Sequence, residues 1–362
     1  MFFLLSSLGR TYIWKSIKQN KILTCLLGGL LVVNFIISLS PNVTVYGYIK
    51  LFEMGAFFFL LRYFFQRVTL TQLLIPFLLG TTLQCFLSFA QFSTQSSQGG
   101  LWYFLGERTF TGLTPGIANA SLFGQLILRP YGTLPHPNVL GAYLLVSTIL
   151  LLKQMFEKKV FLQKQIVLVG LYGIHFVALL LTLSRTSIIA GVIGGVILIS
   201  SHIHKIKKAV YILILAVLIS VVILLPILTP RFLNIFSDQA YTQRVLYVQE
   251  SYQLLLAHPF LGVGWNAYLP AVSEHSHVAQ VQPVHSVILL VLTQVGIVGI
   301  LILLYPLYKG IKYLIHKQSQ FAYVIVGVVL FLGFFDHYFL TIQQGQLILI
   351  FLLAIVGSDE IV

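Results

Sequence analysis

The chain has 362 residues, of which 58% are hydrophobic and only 9% are charged, and its formal net charge is +13. Soluble domains carry about 25% charged residues, so this composition excludes a soluble globular protein and indicates a membrane protein. The sequence has no basic–aromatic nucleic-acid module, so we expect no nucleic acid and interpret the positive charge as contact with the lipid bilayer.

Ten apolar runs follow one another along the chain, and crossing a bilayer takes about 20 such residues. They lie near residues 22–40, 44–64, 70–91, 138–152, 165–183, 187–201, 209–229, 284–307, 321–337 and 344–357. The sequence therefore predicts an all-α, polytopic integral membrane protein with about ten transmembrane helices. We divide it into N-terminal helices with a first outer loop (1–128), a core (129–304) and C-terminal helices (305–362).

Basic residues are shared unevenly between the loops on the two sides of these runs. One side carries every lysine except Lys50, which falls inside the second run. The other side carries arginines alone, namely Arg108, Arg129, Arg185, Arg231 and Arg244. The positive-inside bias makes the lysine-rich side cytoplasmic, together with both termini. Since guanidinium groups bind phosphate and carboxylate in bidentate fashion, the outer arginines indicate an anionic substrate handled on the extracytoplasmic side.

Two outer loops are long, at about 92–137 and about 230–283. In the second loop, residues 239–257 have the periodicity of a helix, and His258-Pro259 ends it because a residue before proline avoids the helical region. The glycines of FLGVGW (260–265) then predict a tight turn. We therefore expect a long extracytoplasmic loop that carries short helices.

The predicted loop helix carries Arg244, with Tyr247, Val248 and Ser251 on the same face. Arg244 is interpreted as a phosphate or pyrophosphate ligand, with a solvated or headgroup-bound arginine as the alternative. Arg185 lies in a polar break, LSRT (183–186), between two apolar runs. Arginine near hydrocarbon usually faces a cavity or a partner, and the alternative is an interfacial arginine that reaches the headgroups.

Arg129, His136 and Asn138 stand together at the outer mouth of a predicted helix, in a segment kept extended by prolines. We interpret them as substrate-binding residues. The alternative is a plain loop-to-helix junction in which Asn138 caps the helix.

His285 begins the apolar run after the large loop. A neutral imidazole can take a proton from a hydroxyl near neutral pH, so His285 is a candidate base. An interfacial histidine bonded to a carbonyl is the alternative. A metal set of His275, His277 and His285 with Glu274 matches no compact zinc spacing, so we predict no metal and no cofactor.

Four segments together resemble the O-antigen ligase family, which includes lipopolysaccharide O-antigen ligases, O-antigen polymerases and bacterial protein O-oligosaccharyltransferases. They are RPYGTLPHPNVLGAYL (129–144), LTLSRTSIIAGVIG (181–194), YTQRVLYVQESYQLLLAHPFLGVGWNAYL (241–269) and PVHSVILLVLTQVGIVGILILL (283–304). The resemblance spans residues 129–304. Relatives often have asparagine after the histidine, where this chain has Ser286.

The resemblance implies a metal-independent, inverting membrane glycosyltransferase. Such enzymes move a glycan from undecaprenyl pyrophosphate to a hydroxyl of a glycan, lipid or protein acceptor at the outer face of the cytoplasmic (inner) membrane. They act as ligase or polymerase in O-antigen, capsule or exopolysaccharide assembly. The resemblance implies that Arg185 and Arg244 hold the pyrophosphate and that His285 activates the acceptor. We add Arg129, His136, Asn138, Tyr247 and Trp265 as substrate-binding candidates.

Two other classes of protein compete with this interpretation. A transporter or flippase of lipid-linked saccharides would have charged residues inside the membrane, and Lys50 and Glu53 lie inside the second apolar run. The alternative is that these two residues simply pair with each other. A non-catalytic scaffold would not explain why the predicted outer loops carry arginines and no lysines. We also expect Asp336 and His337, at the outer end of the ninth run, to orient Arg185 or His285.

Overall fold

The computed structural model describes residues 7–122, 125–156, 162–202, 208–233, 239–273 and 281–357. Most of these residues are helical. In chain order the elements are α1 (Ser7–Gln19), α2 (Lys21–Ile36), α3 (Pro41–Phe65), α4 (Leu70–Thr94), α5 (Leu101–Phe104), β1 (Asn119–Leu122), β2 (Gln125–Leu128), α6 (Pro137–Met155), α7 (Leu162–Leu181), α8 (Arg185–Ser201), α9 (Lys208–Leu233), α10 (Gln239–Ala257), α11 (Tyr268–Ser273), α12 (Val287–Lys317), α13 (Gln320–Phe335), α14 (Tyr338–Thr341) and α15 (Gln343–Val356).

A helix stands at each of the ten predicted apolar runs. Five of them, α3, α4, α6, α7 and α12, are long and apolar enough to cross a membrane, and α1 with α2 makes a sixth if that pair, bent by 95°, is one span. The helices α8, α13 and α15 and the second half of α9 are apolar but only 10–17 residues long. The chain is therefore a mainly helical membrane protein, and the number of ten spans stays a prediction.

Two compact units make up the chain, and each consists of more than one segment. The first contains Met1–Val68, Gln239–Tyr323 and Gly333–Val362; the second contains Thr69–Asp238 and Val324–Leu332. The division into 1–128, 129–304 and 305–362 stays a prediction.

Helix α6 forms the centre of the second unit, with 89% of its most apolar stretch buried. A helix that is apolar on all sides is expected to be buried. Its Gly141 gives close packing, since a Cβ atom there would lie 2.9 Å from Ser184 Cβ and 2.9 Å from Ser187 Oγ. This packing holds α6 against the polar break between α7 and α8.

The hairpin of β1 and β2, between α5 and α6, was not predicted. The strands pair antiparallel, with Asn119 opposite Leu128 and Leu122 opposite Gln125. Ala120 and Leu128 are fully buried. Strands of four residues offer too few alternations to stand out as a two-residue period in so apolar a chain.

Helix α10 confirms the predicted loop helix, because it covers the predicted 239–257. The His258 N–H donates to the Leu254 carbonyl and makes the last turn. Beyond it, Gly262 and Gly264 have φ of +74° and +106°, as the predicted glycine turn requires.

The turn at 259–264 inserts into a break in α12, where Gly296 has φ +64° and ψ −173°. Four backbone hydrogen bonds of 2.9–3.1 Å join the two segments: Val263 N–H to Thr293 O, Gly264 N–H to Gln294 O, Ile297 N–H to Pro259 O, and Val298 N–H to Phe260 O. Peptide groups released by the break thus find partners, which an apolar environment demands.

Replacing Gly296 with alanine is expected to destabilise the protein by about 2–5 kcal/mol, from the positive φ and from overlap with the Phe260 carbonyl. The loss is measured as the fall in the temperature at which half of the detergent-solubilised protein stays monodisperse. Gly310→Ala is the matched control on the same helix, since a Cβ there meets nothing within 4 Å. Equal melting of the two variants would contradict this account of the break.

Candidate functional site

His285 lies two residues before α12, and its contact with Asp336 is the main feature of the first unit. His285 Nδ1 is 3.3 Å from Asp336 Oδ1. This is an ion-pair distance without good hydrogen-bond alignment, and Nδ1 has no better-aligned acceptor among the described residues. Catalytic contacts are often long before substrate binds, so the geometry suits an imidazole oriented by a carboxylate.

Asp336 and His337 occupy the short gap between α13 and α14. Asp336 is buried, at 4% exposure, and its Oδ1 accepts the His337 N–H at 2.8 Å. The His337 ring centroid is 4.8 Å from that of His285, and His337 Nδ1 is 2.6 Å from Thr341 Oγ1. Two imidazoles and one carboxylate therefore form a single cluster, the His285–Asp336–His337 cluster.

Electrostatics fixes the charge states of Asp336 and His337. Burial raises the pKa of Asp336, but the hydrogen bond and charge of His285, with the charges of His337 and Arg244, outweigh it and leave this pKa below its ordinary value. Burial lowers the pKa of His337 to about 4; Asp336 opposes this shift, and the charges of His285 and Arg244 add to it. At neutral pH, Asp336 is therefore an anion and His337 is neutral.

The lowered pKa of His337 predicts that stability falls on acidification. Below pH 6.5 an unfolded chain protonates this histidine, whereas the folded protein does so only near pH 4, so stability rises with pH between these values. We expect the melting temperature of His337→Gln to depend less on pH between 7.5 and 5 than that of the wild type. His316→Gln, at the exposed end of α12, is the control. Identical pH dependence in wild type and His337→Gln would overturn this assignment.

Helix α10 presents Arg244, Tyr247 and Ser251 to the same region of the first unit. Tyr247 is buried and its ring centroid is 6.2 Å from that of His285 at 30°. Ser251 Oγ donates to the Tyr247 carbonyl at 2.8 Å and lies 2.7 Å from the Tyr268 hydroxyl. Arg244 is half-buried, and its charge acts on both Asp336 and His337. Arg244, Tyr247 and Ser251 therefore lie on one face of α10, as predicted. Val248, which was predicted on the same face, is 47% exposed.

The His285–Asp336–His337 cluster could also hold a metal ion, because its ligand atoms all lie within 4.8 Å of one another. This cluster differs from the metal set weighed in the sequence, whose members Glu274, His275 and His277 fall outside the described residues. The structure instead gives His285 partners that lie about fifty residues further along the chain.

Arg129 and Asn138 meet in the second unit. Arg129 is 4% exposed; its Nη2 donates to Asn138 Oδ1 at 2.7 Å and its Nε to the Thr182 carbonyl at 2.9 Å. Thr182 belongs to the polar break before α8. Arg129 therefore fastens the 129–138 segment to that break.

The alternative in which Asn138 caps α6 is corrected in one respect, because the cap is His136. His136 Nδ1 accepts the Asn138 N–H at 3.0 Å. A nitrogen that accepts this bond carries no proton, so a neutral His136 has its proton on Nε2. Asn138 uses its side chain for Arg129 instead.

Arg185 is the first residue of α8 and is half-buried. The chain reaches it through Leu183, whose φ is +51°, so the predicted polar break is a sharp turn. The first amide groups of a helix and a guanidinium group both favour anions. This position suits a phosphate ligand.

Trp265 directly follows the inserted turn (259–264) of the first unit. Its backbone N–H donates to Asn34 Oδ1 at 2.6 Å, and a Cβ atom at Gly47 of α3 would lie 2.7 Å from Trp265 Cδ1. Asn34 Nδ2 in turn donates to the Gln294 carbonyl at 2.9 Å, at the break in α12.

Three contributors to the site were missed from the sequence. Thr341 and Tyr268 are ordinary residues of an apolar chain, and only the i, i+4 spacing of His337 and Thr341 hints at a pair. Gln294 lies in the middle of an apolar run, where a lone carboxamide signals a polar partner.

The fold and the His285–Asp336–His337 cluster define a polytopic membrane protein with an imidazole–carboxylate pair at the start of a long apolar helix. Residues 170–304, a little over a third of the chain, match the family described as O-antigen ligase. This match supports the O-antigen ligase family, as the resemblance predicted. The family implies glycan transfer of the O-antigen ligase type in a membrane. No curated protein and no solved structure matches the chain.

Proposed function

We propose that this protein is a glycosyltransferase that moves a glycan from undecaprenyl pyrophosphate to an acceptor hydroxyl at the outer face of the cytoplasmic membrane. It would serve O-antigen, capsule or exopolysaccharide assembly as a ligase or a polymerase. The observation that carries the proposal is the His285–Asp336 contact beside Tyr247 and the charge of Arg244.

His285 is the proposed general base. With Nδ1 directed to Asp336, its Nε2 is left to accept a proton from the acceptor hydroxyl. The Asp336 carboxylate would hold the ring in this tautomer and stabilise the imidazolium that forms. His337 stays neutral because of its lowered pKa, so it adds no positive charge that would oppose protonation of His285.

The reaction is a single displacement. The acceptor oxygen attacks the anomeric carbon and its proton passes to Nε2 of His285. The bond between that carbon and the phosphate oxygen breaks, and its electron pair leaves with the pyrophosphate, so the anomeric configuration is inverted. Arg244 is the proposed ligand of this leaving group, because a fixed cation stabilises charge that grows in the transition state. The family resemblance implies the same role for Arg185.

An acid–base role for the His285–Asp336–His337 cluster is favoured over a metal role by charge. The cluster has one carboxylate, and the positive charge of Arg244 already acts on it. A divalent cation would therefore be repelled by Arg244 with a single anion to offset it. Metal independence is accordingly part of the proposal.

The transport alternative receives no support of its own. Lys50 Nζ is 2.6 Å from Glu53 Oε2, so the two charges inside α3 pair with each other. This is the arrangement that the sequence left open as the alternative to a transport path.

Arg244→Lys is expected to raise the KM for the donor by about tenfold, and Arg244→Gln by more. A lysine keeps the charge but loses the two-pronged geometry that fits phosphate. Initial rates against donor concentration in proteoliposomes measure this. Gln243→Ala, an exposed neighbour on α10, is the control. An unchanged donor KM in Arg244→Gln would remove Arg244 from donor binding.

The proposal is tested by the products that purified protein makes in liposomes from a polyprenyl-pyrophosphate oligosaccharide. A ladder of lengthening chains would identify a polymerase, and one block joined to an added acceptor would identify a ligase. Absence of product across a range of donors and acceptors would sink the transferase proposal.

A further inference from the structure

We propose that a cavity in the first unit binds one sugar ring of the acceptor, an inference that rests on the proposed glycosyltransferase function. The cavity has a volume of about 170 Å³. Its lining includes both charged and aromatic side chains, from the first half of α3, the two residues after the inserted turn, and α14–α15. Those that carry the argument are Lys50, Trp265, Asn266, Thr341, Gln343 and Gln346.

Lys50, Glu53 and Gln343 form a mutually hydrogen-bonded group of three side chains at one wall of the cavity. Lys50 Nζ donates to Glu53 Oε2 at 2.6 Å and to Gln343 Oε1 at 2.9 Å, and Gln343 Nε2 donates to Glu53 Oε1 at 3.1 Å. Ionisable residues inside an apolar helix are costly and usually serve a function. Since an ammonium has three donors, one N–H of Lys50 remains for a ligand.

The remaining lining offers both an apolar surface and hydrogen-bonding groups. The Trp265 indole supplies a flat aromatic ring with one N–H donor. Gln346 uses its Nε2 for the Leu340 carbonyl, and its Oε1 has no partner among the described residues. A ring with apolar C–H faces and hydroxyls around its edge matches this combination.

Size and charge select a sugar over other ligands. Pockets for drug-sized molecules enclose about 300–1,000 Å³, so this smaller cavity suits a single ring rather than a polyprenyl chain. Lys50 and Glu53 neutralise each other, so the cavity offers no net positive charge to a pyrophosphate. A neutral polyol is the chemistry that remains.

Helix α14 joins the cavity to the His285–Asp336–His337 cluster. Thr341 lines the cavity, and its Oγ1 is 2.6 Å from His337 Nδ1. The His337 ring centroid is in turn 4.8 Å from that of His285, with the two ring planes tilted by 59°. A sugar held here would lie next to the proposed base, as the acceptor of the transfer must.

The test measures saccharide binding by the full-length protein in nanodiscs, separately from transfer. The probe is an end-labelled oligosaccharide of one repeat unit, released by mild acid from the surface polysaccharide of the source organism. Gln343→Leu and Gln346→Leu each remove hydrogen bonds to a sugar and should raise the Kd about five- to tenfold. Gln344→Leu, an exposed neighbour outside the cavity, should leave the Kd unchanged.

Each outcome decides the inference. A raised Kd in Gln343→Leu and Gln346→Leu, with an unchanged Kd in Gln344→Leu, supports sugar binding in the cavity. If the wild type binds the saccharide in this way but transfers no glycan, only the transferase proposal is overturned. Absence of saturable binding, or an equal Kd in all three variants and the wild type, overturns the cavity while leaving an active transferase standing. Because Gln346 does not contact the Lys50–Glu53 pair, its variant keeps the test valid if Gln343→Leu fails to fold.

Discussion

Replacing His285 with alanine is expected to lower the rate constant of glycan transfer by about 100- to 10,000-fold, the usual range for a lost general base. Among the described residues, His337 is the imidazole in contact with His285, but its Nδ1 is engaged with Thr341, and its pKa of about 4 makes it a far weaker base at neutral pH. No other described side chain of the cluster can take over the proton.

Single-turnover transfer in proteoliposomes measures this loss, with donor binding followed in parallel. His316→Ala is the control, because it removes an imidazole from the exposed end of the same helix, α12. Transfer by His285→Ala within threefold of His316→Ala would exclude His285 as the base.

Asp336→Asn is expected to lower kcat about 100-fold while the KM values for donor and acceptor stay within a factor of about two. The amide keeps the shape of the carboxylate but removes the charge that stabilises an imidazolium, and its NH2 can favour the wrong tautomer of His285. A residue that acts only through His285 should change kcat rather than substrate affinity.

The same variant separates positioning from folding. The pKa of Asp336 is lowered in the folded protein, so the carboxylate also contributes to stability at pH values above its ordinary pKa. The melting temperature of Asp336→Asn is therefore measured beside kcat. Full activity in a folded Asp336→Asn would show that the His285–Asp336 contact has no part in transfer.

Much of the helical layout could be predicted because hydrophobicity and helix-ending residues are local signals. Helix α10 begins and ends where its periodicity and the His258-Pro259 pair predicted. His285 and the arginines predicted on the outer side could be singled out as candidates because charged residues are rare in this chain.

The rest depends on contacts between distant residues. Asp336 and His285 are about fifty residues apart, and the sequence left open whether Asp336 orients His285 or Arg185; the contact with His285 is visible only in the fold. The hydrogen bonds of Arg129 to Asn138 and Thr182 within the second unit were not predicted, and its role in substrate binding stays a prediction. The break at Gly296 lies inside an unbroken apolar run, so periodicity could not reveal it.

The most direct test of the central claim follows donor and product together for wild-type protein in proteoliposomes after removal of metal ions by a chelator. We predict that a new glycosidic bond forms at an undiminished rate and that the anomeric configuration is inverted. Product that forms only after a metal is restored would show that the His285–Asp336–His337 cluster is a metal site. Donor that crosses the bilayer without any product would contradict the account as a whole and identify a transporter.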